Sequence, residues 1–208
     1  MKTPRPMFLV PALVAVLVAA ALPVTAQTDL GKLAGHDRQA ALTEHVQTCR
    51  QAVSALGQAL KARLRQAVAD SGALGALALC NVEAVPITER ISLEEGVAVG
   101  RTSLRVRNPH NAPDPWEREI LEQFAHRLDR GESASGIEAW TVQQDSLGHR
   151  TFRYMKAIVT GPLCLKCHGS RLRPDVARRI RELYPDDQAV GYHVGDLRGA
   201  FTVTKPLD

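Results

Sequence analysis

The first regular feature of the chain is a stripe of apolar residues spaced three or four positions apart. This spacing puts its side chains on one face of an α-helix and predicts a long N-terminal helix ending at residues 70–72, Asp-Ser-Gly. Such a stripe commonly covers a core, but its first members also keep heptad spacing, which leaves open a homodimer through this helix. The stripe consists of Leu42, Val46, Cys49, Val53, Leu56, Leu60 and Leu64.

Two segments that follow the stripe predict β-strands. Residues 73–80 are continuously small and apolar, which fits a short buried strand, although the end of a helix fits them as well. In residues 101–107, arginine or serine alternates with apolar residues or threonine, the period-two pattern of a half-buried strand. That strand would present Arg101, Arg105 and Arg107 on one face.

The second half of the chain predicts the rest of the sheet. Residues 137–143 and 151–159 have strand patterns, and the sequence DSLG at 145–148 between them is typical of a hairpin turn. Residues 199–204 predict a last strand. With residues 73–80 and 101–107, this gives about five short, mainly antiparallel strands.

Three shorter helices are predicted beside the sheet. Asp114, followed by proline at the first helical position and by Glu117 at the third, is typical of a helix start, and this helix would end at Gly131. Residues 86–95 and 174–183 fit the other two helices. The elements together predict an α+β fold in a single domain, with the long N-terminal helix and the flanking helices packed on the sheet.

The N-terminus predicts export. Lys2 and Arg5 precede an apolar run at 7–22 and the small-residue motif Val-Thr-Ala at 24–26, the pattern of a cleavable signal peptide over residues 1–26. The folded domain would then be residues 27–208, in the periplasm. A retained membrane anchor is the alternative if the segment is not cleaved.

The charge balance argues against nucleic acid as a partner. The full chain has a formal net charge of +4, and loss of Lys2 and Arg5 with the signal peptide lowers it to +2. The remaining basic residues are interleaved with acidic ones and form no long basic block that could follow a phosphate backbone.

The motif with the clearest chemistry is Cys-Leu-Lys-Cys-His at 164–168, which fits the C-x-x-C-H signature of covalent haem attachment. Residues three apart on a helical turn lie side by side, so two sulfurs can reach one edge of a porphyrin. We therefore predict one haem c per chain, attached through Cys164 and Cys167, with His168 as an axial iron ligand. A redox-active pair, a zinc site and a structural disulfide are the rival interpretations of these cysteines.

The spacing alone does not choose the second axial ligand. Met155 is the one methionine outside the signal peptide, and it lies upstream of the motif. The other candidates are Cys80, His110, His126, His149 and His193.

Four stretches of this sequence resemble one known family, the small c-haem proteins with a PAS-like fold that are called the Tll-type haem domain. The stretches are GRTSLRVRNPHNAPDPWE at 100–117, LCLKCHG at 163–169, residues 183–207, which begin LYPDDQAVGY and contain LRGAFTV, and the segment that ends in Ala-Leu-Cys at Cys80. The resemblance implies a PAS-like fold and iron ligation by His168 and Cys80, the latter placed after the first strand.

Cys49 departs from the pattern of that family. It could simply fill the core, form a disulfide with Cys80, or pair with its copy in a second chain. A disulfide would exclude Cys80 as a ligand.

Arg101, Arg105 and Arg107 are candidates to bind haem propionates, with a solvated strand face as the alternative. Tyr192 and Arg198 are weaker candidates. We expect a redox or small-ligand sensor, with a gas as a possible ligand, or alternatively an electron-transfer cytochrome. Either would act through a separate redox or signalling protein, and we do not expect an enzyme.

Overall fold

In the computed structural model, the described residues are 24–207 for the backbone, and 37–77 and 80–207 for the side chains. The predicted signal peptide lies outside them, apart from its last three residues, which begin the first helix. The chain divides into two compact units, Met1–Ala40 and Ala41–Asp208, and the second contains the sheet and the candidate site. In the part of the chain that is described, no helix is both long and apolar enough to cross a membrane.

The first helix, α1, extends over Val24–Val82. Gly72, within the predicted end at 70–72, interrupts it with a φ of 65° and a ψ of −162°, a backbone conformation that glycine adopts readily. The helix then resumes, so the prediction of a strand at 73–80 was wrong. Alanine and leucine dominate this segment and it has no β-branched residue, so its propensity favours a helix over a strand.

Within residues 24–207 the sheet has four antiparallel strands, one fewer than predicted because residues 73–80 are helical. The strands are β1 (Ala98–Thr102), β2 (Glu138–Gln144), β3 (Arg150–Val159) and β4 (Leu197–Pro206), in the order β1-β4-β3-β2. The hairpin predicted at 145–148 joins β2 to β3. The α+β class is therefore confirmed.

In the described part of the chain, four more α-helices accompany the sheet: α2 (Ala84–Glu95), α3 (Pro115–Asp129), α4 (Leu165–His168) and α5 (Pro174–Leu183). Two short 3-10 helices occupy Pro109–Asn111 and Ala134–Gly136. The predicted start of α3 is confirmed. The Asp114 side chain accepts a hydrogen bond from the Glu117 backbone N–H at 2.9 Å, and the Glu117 carboxylate accepts one from the Asp114 N–H at 3.2 Å.

The predicted strand at 101–107 ends early, because β1 stops at Thr102. From Ser103 onward the segment is held by irregular hydrogen bonds. The Ser103 N–H donates to the carbonyl of Asn111 at 3.2 Å, and its hydroxyl donates to the carbonyl of Arg198 at 2.8 Å. The alternating pattern of arginines therefore does not produce one arginine face.

Helices cover both faces of the sheet. On one face, the α1 residues Val46, Cys49, Val53 and Leu56 pack in a cluster with Phe152, Tyr154 and Val203. On the other, Ile120, Leu121 and Phe124 of α3 pack with Met155 and Ala200. This part of the predicted stripe is therefore buried in the core of its own chain. A homodimer through other residues of the helix stays a prediction.

A third, smaller cluster places α1 beside the C-x-x-C-H motif. Leu77, which follows the interruption in α1, is buried with Val176 and Ile180 of α5, and Cys167 packs against the cluster. This packing holds the segment that carries Cys80 close to the motif.

Candidate functional site

The predicted helical turn of the motif is present. Cys164 precedes α4, and its carbonyl accepts the N–H of His168 at 2.9 Å. Cys164, Cys167 and His168 all line one cavity of about 770 Å³, a volume within the roughly 300–1,000 Å³ of small-molecule and cofactor pockets. The spacing in the sequence therefore corresponds to one turn of helix that carries all three groups at the cavity wall.

The His168 ring is held by a hydrogen bond at one nitrogen, and its other nitrogen stays available to bind a metal. Its Nδ1 lies 2.6 Å from the carbonyl oxygen of Ala189, an acceptor, so Nδ1 carries the proton and donates. Burial, with the nearby cations Arg198 and Arg107, lowers the pKa of His168 to about 2, which keeps the imidazole neutral. A neutral imidazole with a fixed Nδ1–H leaves Nε2 free to bind a metal, the usual arrangement of histidines that bind metals in proteins.

The walls of the cavity are largely apolar. They come from α1, α2, the segment after β1, and strands β3 and β4, and they include Leu60, Leu64, Leu77, Ile87, Val106 and Phe201. Such walls suit a flat, hydrophobic ring system, because its burial is driven by removal of apolar surface from water.

Cys80 lines the same cavity from the last turns of α1. Its side chain is exposed to the space of the cavity. Because protein nevertheless surrounds the cavity, burial raises the pKa of the thiol. Arg101 and Arg107 oppose that rise. Among the other candidates for the second ligand, His110 also lines the cavity, whereas Met155 is buried in the α3 core.

The four cysteines, all within the described residues, are free. The Cys49–Cys80 disulfide is not formed. Cys49 lies on α1 and is completely buried in the cluster between this helix and the sheet. Its burial raises the pKa of the thiol to about 11. It is the core-filling alternative for Cys49 that matches this position.

The three arginines that the sequence grouped together have different environments. Arg101, on β1, lines the cavity, and its guanidinium makes no hydrogen bond or ion pair with residues 37–77 or 80–207. Burial lowers the pKa of its guanidinium. Arg198 also lines the cavity, and it donates to the Ser103 hydroxyl at 3.0 Å. An unpaired cation at a cavity wall fits a carboxylate ligand, since an anion offsets its desolvation.

Arg105 and Arg107 instead bind the loop that precedes β4. Arg105 donates to the carbonyls of Gln188 and Val190, lies 4.4 Å from the ring centroid of Tyr192, and is not among the residues that line the cavity. Arg107 lines the cavity but is paired with Asp187 through two 3.0 Å contacts. Asp187 and the carbonyl of Ala189 were not identified from the sequence, which has no local signal for either.

The residues present fit a c-type haem. Two thiols stand on one turn of helix, a neutral imidazole has a free nitrogen, a third thiol shares the cavity, and an unpaired guanidinium could bind a propionate. The family model described as Tll0287-like (Tll0287) matches residues 32–206.

The chain belongs to the Tll0287-like family. The resemblance inferred from the sequence is thus confirmed. The fold is also similar to the crystal structure of the cyanobacterial heme-protein Tll0287, with a TM-score of 0.54 and 26% sequence identity. That match covers 81% of this chain and 96% of the other. A comparison with curated proteins finds no match.

Proposed function

We propose that this member of the Tll0287-like family is a periplasmic c-type haem protein that senses redox state or a small ligand. One haem would be attached through Cys164 and Cys167, with His168 and Cys80 as axial ligands. The observation that carries the proposal is that these four groups line a single cavity, with the Nδ1 of His168 already bound to the Ala189 carbonyl. Within the proposal, the four-stranded sheet is the sheet of a PAS-like fold.

Bound haem would supply a one-electron iron couple and a coordination position that an exchangeable ligand can take. The residues around it would do the rest. His168 would stay fixed, because its ring is anchored at Nδ1, whereas Cys80 would be the ligand that responds. Burial already favours its neutral thiol, so loss of one positive charge from the iron on reduction would favour protonation and release of Cys80. Catalysis is not part of the proposal, because His168 and Cys80 together would leave no open position at rest.

The first experiment is the mass of the mature protein expressed with a haem c maturation system. We expect the polypeptide plus one haem, and loss of covalent haem in Cys164→Ala/Cys167→Ala. A mass equal to the bare polypeptide, or haem extracted by acid ketone, would contradict the proposal. Electron paramagnetic resonance of the oxidised protein then distinguishes His/thiolate from His/His ligation, with Cys80→Ala and His110→Ala as the paired variants.

Sensing is tested by carbon monoxide. We expect the reduced protein to bind it increasingly as pH is lowered from alkaline to neutral, because protonation of Cys80 frees its position. If the reduced protein refuses carbon monoxide at every pH while Cys80→Ala accepts it, the site is closed and sensing by ligand exchange is excluded.

Electron transfer is the second candidate, and the surface charge near the cavity favours it. Lys61 and Arg65, four residues apart on α1, and Lys166 within the motif line the cavity and are exposed. None of the three has an ion-pair partner in the side chains described. Unpaired cations around a redox site would attract an acidic protein partner and speed its association.

A further inference from the structure

The loop at 187–192 is bound to the haem motif through main-chain groups. The N–H of Tyr192 donates to the carbonyl of His168 at 2.9 Å, and the N–H of Gly191 donates to the carbonyl of Gly169 at 3.1 Å. The carbonyl of Ala189 accepts the Nδ1–H of His168. The position of the His168 ring therefore depends on where this loop lies.

The side chain of Arg107 also joins the loop to the motif. One of its terminal nitrogens, Nη2, lies 2.8 Å from the carbonyl of Cys167, 3.2 Å from the carbonyl of Ala189 and 3.0 Å from the Asp187 carboxylate. Asp187 also accepts the N–H of Ala189 at 3.0 Å. The side chains of Arg107 and Asp187 are only 9% and 6% exposed, so water competes little with these contacts.

We propose that Arg107 is a positioning residue for His168, rather than a propionate ligand. The proposal rests on the haem function above. Arg107 shares the Ala189 carbonyl with the Nδ1–H of His168, and through that shared oxygen it sets how strongly the imidazole donates electrons to iron.

The direction of the effect follows from hydrogen-bond chemistry. A carbonyl oxygen that already accepts from a cationic donor is a weaker acceptor for a second donor, because its electron density is drawn toward the first. The Nδ1–H of His168 is then polarised less, and Nε2 is a weaker donor to iron than it would be against an unshared carbonyl. Removal of Arg107 should strengthen the bond from His168 to iron and stabilise the ferric state.

Arg105 supplies a matched control. It binds the same loop through the carbonyls of Gln188 and Val190, the residues on either side of Ala189, but it donates no hydrogen bond to the carbonyl of Ala189 or of Cys167. Arg105→Met therefore loosens the loop and removes one positive charge without changing the carbonyl that His168 uses. In addition, Arg107→Lys keeps the charge but loses the planar fork that reaches Asp187 and two carbonyls together.

The test compares Arg107→Met, Arg107→Lys and Arg105→Met in the holoprotein. All of these proteins also carry Cys80→Ala, so that His168 is the one protein ligand of the reduced iron. We measure the midpoint potential and the iron–histidine stretching frequency of the reduced protein by resonance Raman spectroscopy. We expect a lower potential and a higher stretching frequency in Arg107→Met, a smaller change of both in Arg107→Lys, and an unchanged stretching frequency in Arg105→Met.

Three outcomes would overturn the positioning role: an unchanged stretching frequency in Arg107→Met, an equal change in Arg105→Met, or a change in melting temperature alone. If Arg107→Met does not fold, Arg107→Lys and the double variant Arg107→Met/Asp187→Asn, which leaves no buried unpaired charge, give the same comparison. Absence of haem from the parent protein would instead refute the haem proposal, and the mass spectrum distinguishes the two failures.

Discussion

Arg101 and Cys80 line the same cavity, and the guanidinium is close enough to the thiol to oppose the rise in its pKa that burial causes. Arg101 has no hydrogen-bond or ion-pair partner among the side chains described. Without a bound anion, this cation is partly desolvated and nothing offsets that loss. The arrangement therefore fits an anion bound at Arg101, and the desolvated cation should cost stability in a protein that lacks one.

Replacement of this cation should stabilise the apoprotein. We expect Arg101→Met to raise its free energy of unfolding by about 1 kcal/mol, since the open cavity still hydrates part of the guanidinium. In the holoprotein the gain should disappear, because a propionate would lose its partner. Urea denaturation of both forms measures this, with Arg90→Met on exposed α2 as the control. A loss of more than about 1 kcal/mol in the apoprotein would mean that Arg101 stabilises the fold.

The ligand role of Cys80 predicts a change in reduction potential. A thiolate stabilises ferric iron more than a thioether does, so Cys80→Met should raise the midpoint potential. The rise should be on the order of 0.1 to 0.3 V, within the roughly 0.8 V that axial ligands command. Cys49→Ala is the control, because Cys49 lies in the core and does not line the cavity. An unchanged potential and spectrum in Cys80→Met would exclude Cys80.

Local sequence signals predicted much of this molecule. The start of α3, the hairpin at 145–148 and the helical turn of the motif depend on residues within a few positions of one another, so their chemistry could be inferred directly. The segment at 73–80 was harder. Its apolar run is compatible with both a strand and a helix. The packing of Leu77 against α5 joins residues about a hundred positions apart, so no local pattern indicates it.

The candidate site likewise contains some features that local sequence predicts and others that depend on distant contacts. The motif identified Cys164, Cys167 and His168, but the partner of the His168 ring is a main-chain carbonyl, which leaves no mark on the sequence. Arg107 and Asp187 are 80 residues apart, and no periodicity connects them. Arginines 101, 105 and 107 were grouped by a strand pattern that stops at Thr102. Tertiary contacts, not local order, gave each of them its environment.

Burial of Cys49 predicts protection from alkylation. Its side chain is fully buried and the pKa of its thiol is about 11, so at pH 8 only about one molecule in a thousand carries a thiolate. In the native apoprotein we expect maleimide to modify Cys80 at least about a hundredfold faster than Cys49, as read by peptide mass spectrometry. Urea should abolish the difference. Comparable rates without urea would mean that Cys49 is accessible to a partner thiol.

The hydrogen bond from Tyr154 to Glu138, 2.6 Å long, predicts a pH-dependent stability. Burial alone would raise the pKa of Glu138, but hydrogen bonds from Arg50 and Tyr154 outweigh it and lower the pKa from 4.5 to about 2. The ionised carboxylate thus stabilises the folded state above pH 4.5, and this contribution declines between pH 4.5 and 2.

We therefore expect Glu138→Gln to reduce the free energy of unfolding by about 1 to 2 kcal/mol at pH 7, after allowance for solvent screening. The difference from the parent protein should shrink below pH 4.5. Urea titrations of the apoprotein at several pH values measure it, and Glu94→Gln, on the exposed face of α2, is the control. A difference that is constant from pH 7 to 3 would assign the loss to packing instead.

The positions of Lys61 and Arg65 predict how the proposed haem would exchange electrons with charged reagents. These two cations stand one turn apart on α1, where like charges repel, and they have no ion-pair partner in residues 37–77 or 80–207. They should attract an anionic reagent to the cavity and repel a cationic one. In Lys61→Gln/Arg65→Gln we expect oxidation of the reduced protein by ferricyanide to slow by about threefold to tenfold at low salt. Oxidation by tris(phenanthroline)cobalt(III) should become faster.

Arg118→Gln/Arg130→Gln removes the same charge from α3 and its end, away from the cavity, and should change neither rate by more than about twofold. Stopped-flow traces at ionic strengths from about 20 to about 200 mM separate the two cases, since screening should remove the effect at the higher value. If both double variants slow ferricyanide equally, net charge alone steers the reagent, and Lys61 and Arg65 do not form a docking surface for an acidic partner.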